Sequence, residues 1–352
     1  MQHLLEAIIS KGDVQGTAKG RQNDADLAAQ EIAQLLEPLA LLAANNASKN
    51  QETIEHFPTL QRDAWYNIVV HGFGLHSPLG RKHRHELQIL AKYSTPLVAL
   101  DRAGQMESDV DLNTVLRRGT SSQSTSERRR DLIQILPGCE AEIRTLTYPE
   151  LILLKAAQLV ETLRAETGEC SRLLTYFVDP QLKDTPLGRC MTAVALQSVA
   201  VYLGNTLDGQ KESFSAPYVA QQLSLMFAAC CHHVKNVQNV AYACADQIIN
   251  QVPSALCQKS SLFTLLDLLT VMWISCLDSD TDEYEWKSTY VLPKSTITVH
   301  LSDDYAFRRS TLKTIQAHAR VWVTKAINFA PLDVKGLLQV CTGIVILNIL
   351  LH

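Results

Sequence analysis

Between residues 215 and 277 the chain is apolar on nearly every helical face. Inside residues 218–276 the only charged side chains are Lys235, Asp246, Lys259 and Asp267, and no glycine interrupts the stretch. Ser215 is placed to cap a first helix with Pro217 in its opening turn. Pro253 suits the start of a short third segment, and Ser261 is placed to cap the last. In that last segment Leu262, Leu265, Leu266, Leu269 and Trp273 recur at helical spacing. A helix apolar almost all round must be covered on several sides, so the pattern predicts the inner layer of a helical protein.

The flanking segments carry more ordinary amphipathic signals. Residues 1–10 read as a helix and 11–23 as a loop. Leu27, Ile32, Leu35, Leu36, Leu39 and Leu42 give residues 24–45 a helical period that Pro38 should kink or divide. Residues 45–55 read as a second loop. In FPTLQRDAWYNIVVHGF at 57–73, Thr59 is the expected cap, Ala64, Trp65, Ile68 and Val69 form one face, and Gly72 stands where a left-handed C-cap belongs. RKHRHELQILAKYS at 81–94 opens another helix, ended by Ser94–Pro96. Thr147-Tyr-Pro-Glu150 is a capping box ahead of a helix ending near Gly168. Residues 170–178 and 187–203 add two more helices. β signal is confined to 288–301, where Tyr290 and Leu292, then Ile297, Val299 and Leu301, alternate with other residues. Ser302 is the expected cap of the following helix, with Asp303 and Asp304 against the positive end of its dipole. Tyr305, Leu312, Ile315, Ala319, Trp322 and Ala326 step along one face of it, and Pro331 separates it from a last apolar segment. The 288–301 arm and this helix are expected to pack on the helix ending at Leu277, with Trp273 and Trp322 as anchors.

Such a succession predicts an all-α fold: a HEAT- or armadillo-like α-solenoid of antiparallel helix pairs, with one short extended arm or hairpin near 288–301. No fixed period recurs, so any repeats are degenerate. The expected organisation is a first helical segment (1–116), a disordered Arg/Ser/Thr loop (117–130), a central helical segment (131–277), an acidic linker and extended arm (278–301), C-terminal helices (302–339) and an apolar tail (340–352).

Composition narrows the function classes. With 46% apolar residues in 352, the chain has ample material for a core, and a net charge of −4 supplies no global field to recruit nucleic acid. Nine cysteines, an odd number, sit among apolar residues behind an N-terminus broken up by Glu6, Lys11 and Asp13, the pattern of reduced thiols in a cytosolic protein. No run is expected to reach the ~18–20 apolar residues that a membrane span requires.

The candidate chemistry is sparse. Cys230-Cys231-His232-His233 resembles a metal cluster only on paper, because adjacent helical residues point ~100° apart and do not converge on one ion. Asp278, Asp280 and Asp282 resemble the start of a calcium loop, but Glu283 stands where the bend needs Gly and Thr289 where the bidentate Glu belongs. His83 and His85, among Arg81, Lys82 and Arg84, read as a solvated helix start. No GxxxxGK[ST], strand-linked GxGxxG or GxSxG motif occurs, nor the lysine and aspartate set of phosphoryl transfer. The expectation is no catalytic residue, no metal and no cofactor. Arg117, Arg118, Arg128, Arg129 and Arg130 flank a Ser/Thr segment. Arg117-Arg118-Gly119-Thr120 suits a basic-directed kinase, making Thr120, Ser121 and Ser122 candidate phosphorylation sites; the same arginines have the charge to touch anionic lipid.

Four segments carry a resemblance: 57–73, PYVAQQLSLMFAACCHHV at 217–234, SSLFTLLDLLTVMWISCLDSDTDEYE at 260–285, and STITVHLSDDYAFRRSTL at 295–312. Together they resemble the N-terminal helical region of the type III alpha phosphatidylinositol 4-kinases, especially fungal members. The resemblance covers most of residues 57–335, is specific from Trp273 through Arg309 and is loose over residues 1–49. It implies an α-solenoid that supports dimerisation and helps hold the enzyme with a tetratricopeptide adaptor and a membrane-anchored scaffold. It also implies a cytoplasmic protein recruited to the plasma membrane as part of that complex. The family's kinase domain lies far C-terminal, so no catalytic residue carries over and this chain alone is expected not to be an enzyme. Val340-Cys341 can be encoded GTATGT, a fungal 5′ splice-site sequence, so residues 340–352 are expected to be translated intron at the end of a truncated gene model. The competing expectation is a free-standing solenoid adaptor.

Overall fold

In a computed structural model the described residues are 1–12, 21–48, 57–98, 122–206, 212–278 and 287–340. They are helical apart from one two-stranded antiparallel sheet, so the fold class is all-α. The chain divides into two compact units, Met1–Thr167 with Asp179–Ser198, and Gly168–Val178 with Val199–His352.

In the first unit the Gln2–Gly12 helix packs on Arg21–Ser48 and Pro58–Val70, and Arg84–Tyr93 packs on Arg21–Ser48. Tyr148–Glu166 lies against both Pro58–Val70 and Arg84–Tyr93 and is buried on all sides from Ala156 to Ala165. Its start matches the sequence signal: the Thr147 N–H donates to the Glu150 carboxylate at 2.7 Å. Its end is followed by Gly168 at φ +104°, and Gly72 after Pro58–Val70 takes φ +89°. There the N–H groups of Gly72 and Phe73 donate to the carbonyls of Val69 and Ile68, satisfying acceptors the helix leaves open. A Cβ at Gly12 would displace the side chain of buried Asn67, so the close approach of the first helix to Pro58–Val70 favours glycine there.

Several local expectations need correction here. Of the two outcomes expected at Pro38, a kink or a division, the division does not occur: Arg21–Ser48 is one helix with Pro38 inside it. Pro58–Val70 starts one residue ahead of Thr59, with Phe57 at its N-cap. Residues 122–130, expected as part of a disordered 117–130 loop, belong to a Ser122–Ile135 helix. A Ser/Thr/Arg-rich surface disguised it, and buried Leu132 and Leu136 anchor it.

In the second unit Ala216–Cys230 packs on Lys235–Gln251 and Lys259–Leu277, and Tyr305–Phe329 covers Lys259–Leu277. Residues 170–178 form a 3₁₀ turn over Arg172–Val178, not an α-helix. Lys259–Leu277 starts two residues before Ser261, whose hydroxyl donates to the Ala255 and Gln258 carbonyls instead of capping. Asp304, not Ser302, caps Tyr305–Phe329, accepting from the Ala306 N–H at 2.8 Å. Trp322 is fully buried against Phe227, ring centroids 5.0 Å apart, and its Nε1 donates to Asp246 at 2.6 Å. Trp273 is not an anchor; it is 40% exposed. Leu262, Leu266 and Leu269 project on the same side of that helix and are fully buried, so cover on this side stops within the last two turns.

Ala25–Ala47, Pro186–Thr206 and Lys259–Leu277 are each long and apolar enough to cross a bilayer by length and composition. This corrects the expectation that no run reaches such a length; in the last of them Asp267 interrupts the apolar residues without taking the helix below that threshold. In this fold 67% of its most apolar window is buried within the protein.

Candidate functional site

The most elaborated polar construction in the second unit gathers around a hairpin. Strand β1 (Thr289–Val291) pairs with β2 (Thr298–His300) in the register Thr289↔His300, Tyr290↔Val299, Val291↔Thr298. Alternation puts Tyr290, Leu292, Val299 and Leu301 on the buried face. Asp267, a lone buried carboxylate in the most apolar helix, accepts the Lys294 N–H at 2.9 Å, and the Lys294 Nζ lies 3.8 Å from its other oxygen. The Tyr290 hydroxyl donates to Asp278 at 3.1 Å, and burial, reinforced by that carboxylate, pushes its phenol up to about 12. Arg308 is almost wholly buried and donates to three main-chain carbonyls: Ser302 from Nε, Ser275 at 3.4 Å and Lys287 at 2.8 Å. One guanidinium thereby joins the end of Lys259–Leu277, the base of the hairpin and the start of Tyr305–Phe329. A planar fork of five donors suits that task, which a lysine could not perform.

The first unit uses the same device. Arg164, fully buried, donates to the carbonyls of Ala91 (3.1 Å) and Ser94 (2.8 Å) at the end of Arg84–Tyr93 and pairs with Glu161. Trp65 Nε1 donates to the Ser94 hydroxyl at 3.0 Å, and Gln61 exchanges hydrogen bonds with Thr95. Arg128 reaches the Val69 and Val70 carbonyls, and Arg129 the Leu146 carbonyl. Each cation faces helix-terminal oxygens, where the macrodipole is negative.

This changes the reading of the basic segment. Arg128 and Arg129, expected as solvated cations with reach to lipid, are engaged inside the protein; Arg130 is exposed. Of the candidate phosphorylation sites, Thr120 and Ser121 lie outside the described residues together with Arg117 and Arg118, and Ser122 is the first residue of the Ser122–Ile135 helix. His85 is exposed, as expected of a solvated helix start, while His83 is half-buried 6.1 Å from the Phe73 ring and Arg84 pairs with Glu166. Asp280, Asp282 and Glu283 also lie outside the described residues, as do residues 341–352.

The Cys230–His233 run is divided between two thiols in the core and two histidines nearer the surface. Both thiols are buried, and burial pushes Cys231 up to about 12. His232 and His233 stack on each other at 4.2 Å. His232 Nδ1 accepts the Val234 N–H at 3.0 Å, and burial, then its histidine neighbours His233 and His300, push its pKa down to about 4. Among the described residues no three His, Cys, Asp or Glu side chains are placed to hold a metal ion.

The described surface includes a cleft in each unit. One, ≈ 360 Å³ in the first unit, lies between the 72–77 turn and the Asp131–Lys155 pair, whose 3.2 Å contact neutralises its charge. The other, ≈ 470 Å³ in the second unit, is a groove between β2 and the Arg172–Val178 turn, floored by Leu225, Ala228 and Ala229 with His232 at its rim. Asp267 was legible beforehand as one of the rare charges in an apolar stretch. The arginine clamps were not, because the carbonyls they bind are brought to them only by the tertiary fold.

No protein-family model matches the chain. It is 30% identical over 346 residues, 96% of its length, to phosphatidylinositol 4-kinase STT4 of Saccharomyces cerevisiae. It is also 30% identical over 285 residues, 81% of its length, to phosphatidylinositol 4-kinase stt4 of Schizosaccharomyces pombe. The chain spans only 18% and 15% of those two proteins. Over nearly its whole length, then, this chain is homologous to a segment of the yeast phosphatidylinositol 4-kinases, the family its four motif segments resemble.

Proposed function

We propose that the chain is a non-catalytic helical scaffold segment of a 1-phosphatidylinositol 4-kinase. The observation that carries this reading is the alignment of 96% of the chain with 18% of a lipid kinase. In the proposal the segment stacks helices as a solenoid and supports dimerisation. It offers helix faces to a tetratricopeptide adaptor and a membrane-anchored scaffold, by which a cytoplasmic kinase reaches the plasma membrane. The synthesis of phosphatidylinositol 4-phosphate then belongs to another part of the polypeptide. The buried arginines support a scaffold role: each locks a helix end to a neighbouring element, which resists sliding of one helix past another.

Two assays test the reading. Purified chain given ATP, magnesium and phosphatidylinositol vesicles should form no phosphatidylinositol 4-phosphate; formation that follows the protein through purification would overturn the proposal. Replacing the homologous segment of the Saccharomyces cerevisiae kinase with this chain should retain that lipid in cells, whereas deleting the segment should lower it. A deletion that leaves the lipid and its location unchanged would contradict a scaffold role.

A further inference from the structure

Two contacts in the first unit bring a pair of thiols together. Gln197, on the Pro186–Thr206 helix, donates from Nε2 to the Ile135 carbonyl at 3.2 Å, and Arg189 on the same helix reaches Glu142 at 3.0 Å. Cys190 stands about two turns before Gln197 and so shares its side of the helix. Cys139 follows Ile135 by one short turn, just beyond the end of the Ser122–Ile135 helix. The elements that meet at Gln197 therefore meet again at the cysteines, and the Cys139 and Cys190 side chains share a hydrogen bond.

Local structure leaves Cys139 available for that contact and keeps it near solvent. It stands at the N-cap of the Glu140–Thr145 helix, but its side chain makes no capping bond. Pro137 and Gly138 are exposed, with Gly138 at φ +94°, so Cys139 follows directly on a surface turn. Cys139 is 8% exposed, whereas Cys190 is fully buried. Burial raises the Cys139 thiol, and the hydrogen bond from Cys190 works against that rise. Burial and the neighbouring Cys139 push Cys190 up to about 12. Cys139 is thus the sulfur that ionises first and the one nearer water.

We propose that Cys139 and Cys190 are a peroxide-responsive pair, a dithiol at rest that closes to a disulfide and fastens the 136–140 turn to the Pro186–Thr206 helix. The Cys139 thiolate attacks one oxygen of hydrogen peroxide: an S–O bond forms, the O–O bond breaks, and the departing hydroxide takes up the proton the thiol released, giving water. The Cys190 sulfur then attacks the sulfenic sulfur: the S–S bond forms, the S–O bond breaks, and the hydroxyl leaves as water with the Cys190 proton. Two electrons pass from two thiols to one peroxide, which becomes two waters. The existing contact lets Cys190 close the bond before a second peroxide reaches Cys139. The pair belongs to the fold of the first unit and stands independently of the scaffold reading.

The test treats the full chain, reduced and then freed of reductant, with hydrogen peroxide, blocks the remaining thiols with an alkylating agent and maps peptides without reduction. Cys139 and Cys190 are expected in one linked species, lighter by two hydrogens than the two thiol peptides together, and dithiothreitol should part them. Closing the loop from 139 to 190 should raise Tm by at least about 4 °C over the reduced chain. Cys190→Ala and Cys139→Ser should each abolish both the link and the rise, whereas Cys257→Ser, at a half-buried thiol of the second unit, should keep both. The mapping is read on the unaltered chain, so it holds even if a variant fails to fold. A native chain that yields no linked species, a link that forms only after unfolding in urea, sulfinic acid at Cys139 without a link, or equal Tm values for the two redox forms would overturn the proposal.

Discussion

The two tryptophans of the second unit differ sharply in what they hold. Trp322 is fully buried, rests on Phe227 at 5.0 Å and on His318 at 5.3 Å, and donates to Asp246. Truncation to alanine removes the packing and leaves a cavity among side chains from three helices. Buried Trp→Ala changes cost about 3–5 kcal/mol. The lost bond to Asp246 adds little, since that carboxylate is 38% exposed and water replaces the indole. Trp273→Ala, at a 40% exposed position, opens no closed cavity and loses only part of the transfer energy, about 1–2 kcal/mol. Thermal unfolding followed by circular dichroism at 222 nm separates these cases without relying on the fluorophore being removed. At about 2–4 °C per kcal/mol, Trp322→Ala should lower Tm by roughly 6–20 °C and Trp273→Ala by only a few degrees. Equal losses, or a larger loss at Trp273, would refute the packing described for this unit.

Three further outcomes follow from the same physics. Arg308→Met should strand the Ser275, Lys287 and Ser302 carbonyls, cost about 3 kcal/mol, and expose the 288–301 hairpin to limited proteolysis; Arg308→Lys should not rescue it. Gly72→Ala should cost about 1–2 kcal/mol in denaturant melts, because φ +89° strains any residue with a Cβ. His232 is held neutral in the fold, with its pKa pushed down to about 4 from an ordinary 6.5, so the unfolded chain binds more protons in between. Its contribution to stability is therefore complete above pH 6.5 and is lost progressively as pH falls toward 4. Replacing it with Asn, which retains an acceptor for the Val234 N–H, should flatten the decline in Tm between pH 7 and pH 5; an unchanged slope would contradict this.

What the sequence disclosed was local. The Thr147–Glu150 capping box, the left-handed glycines after two helices and the alternating 288–301 arm need only neighbours in the chain, and each stands where its signal lies. Caps one or two residues away were harder. Ser302 and Asp304 are both competent, and the choice of Asp304 depends on where Arg308 pulls the preceding backbone. The Ser122–Ile135 helix was hidden because its Ser/Thr/Arg surface masks the few apolar positions that anchor it, and because the bonds of Arg128 and Arg129 to carbonyls elsewhere in the unit are made only by the tertiary fold. Trp273 misled for the converse reason: helical spacing gives the side of a helix a residue occupies, not how far along the helix the cover extends. The groove beside β2 was equally illegible, since its wall, floor and rim come from three separated stretches of chain.

The central claim is that this chain is one part of a lipid kinase polypeptide. Long-read sequencing of the transcripts that encode this chain tests it most directly. The account predicts reads in which the chain's codons share one open reading frame with a kinase domain. Reads in which no kinase domain ever shares that frame would contradict it and leave a separate helical adaptor.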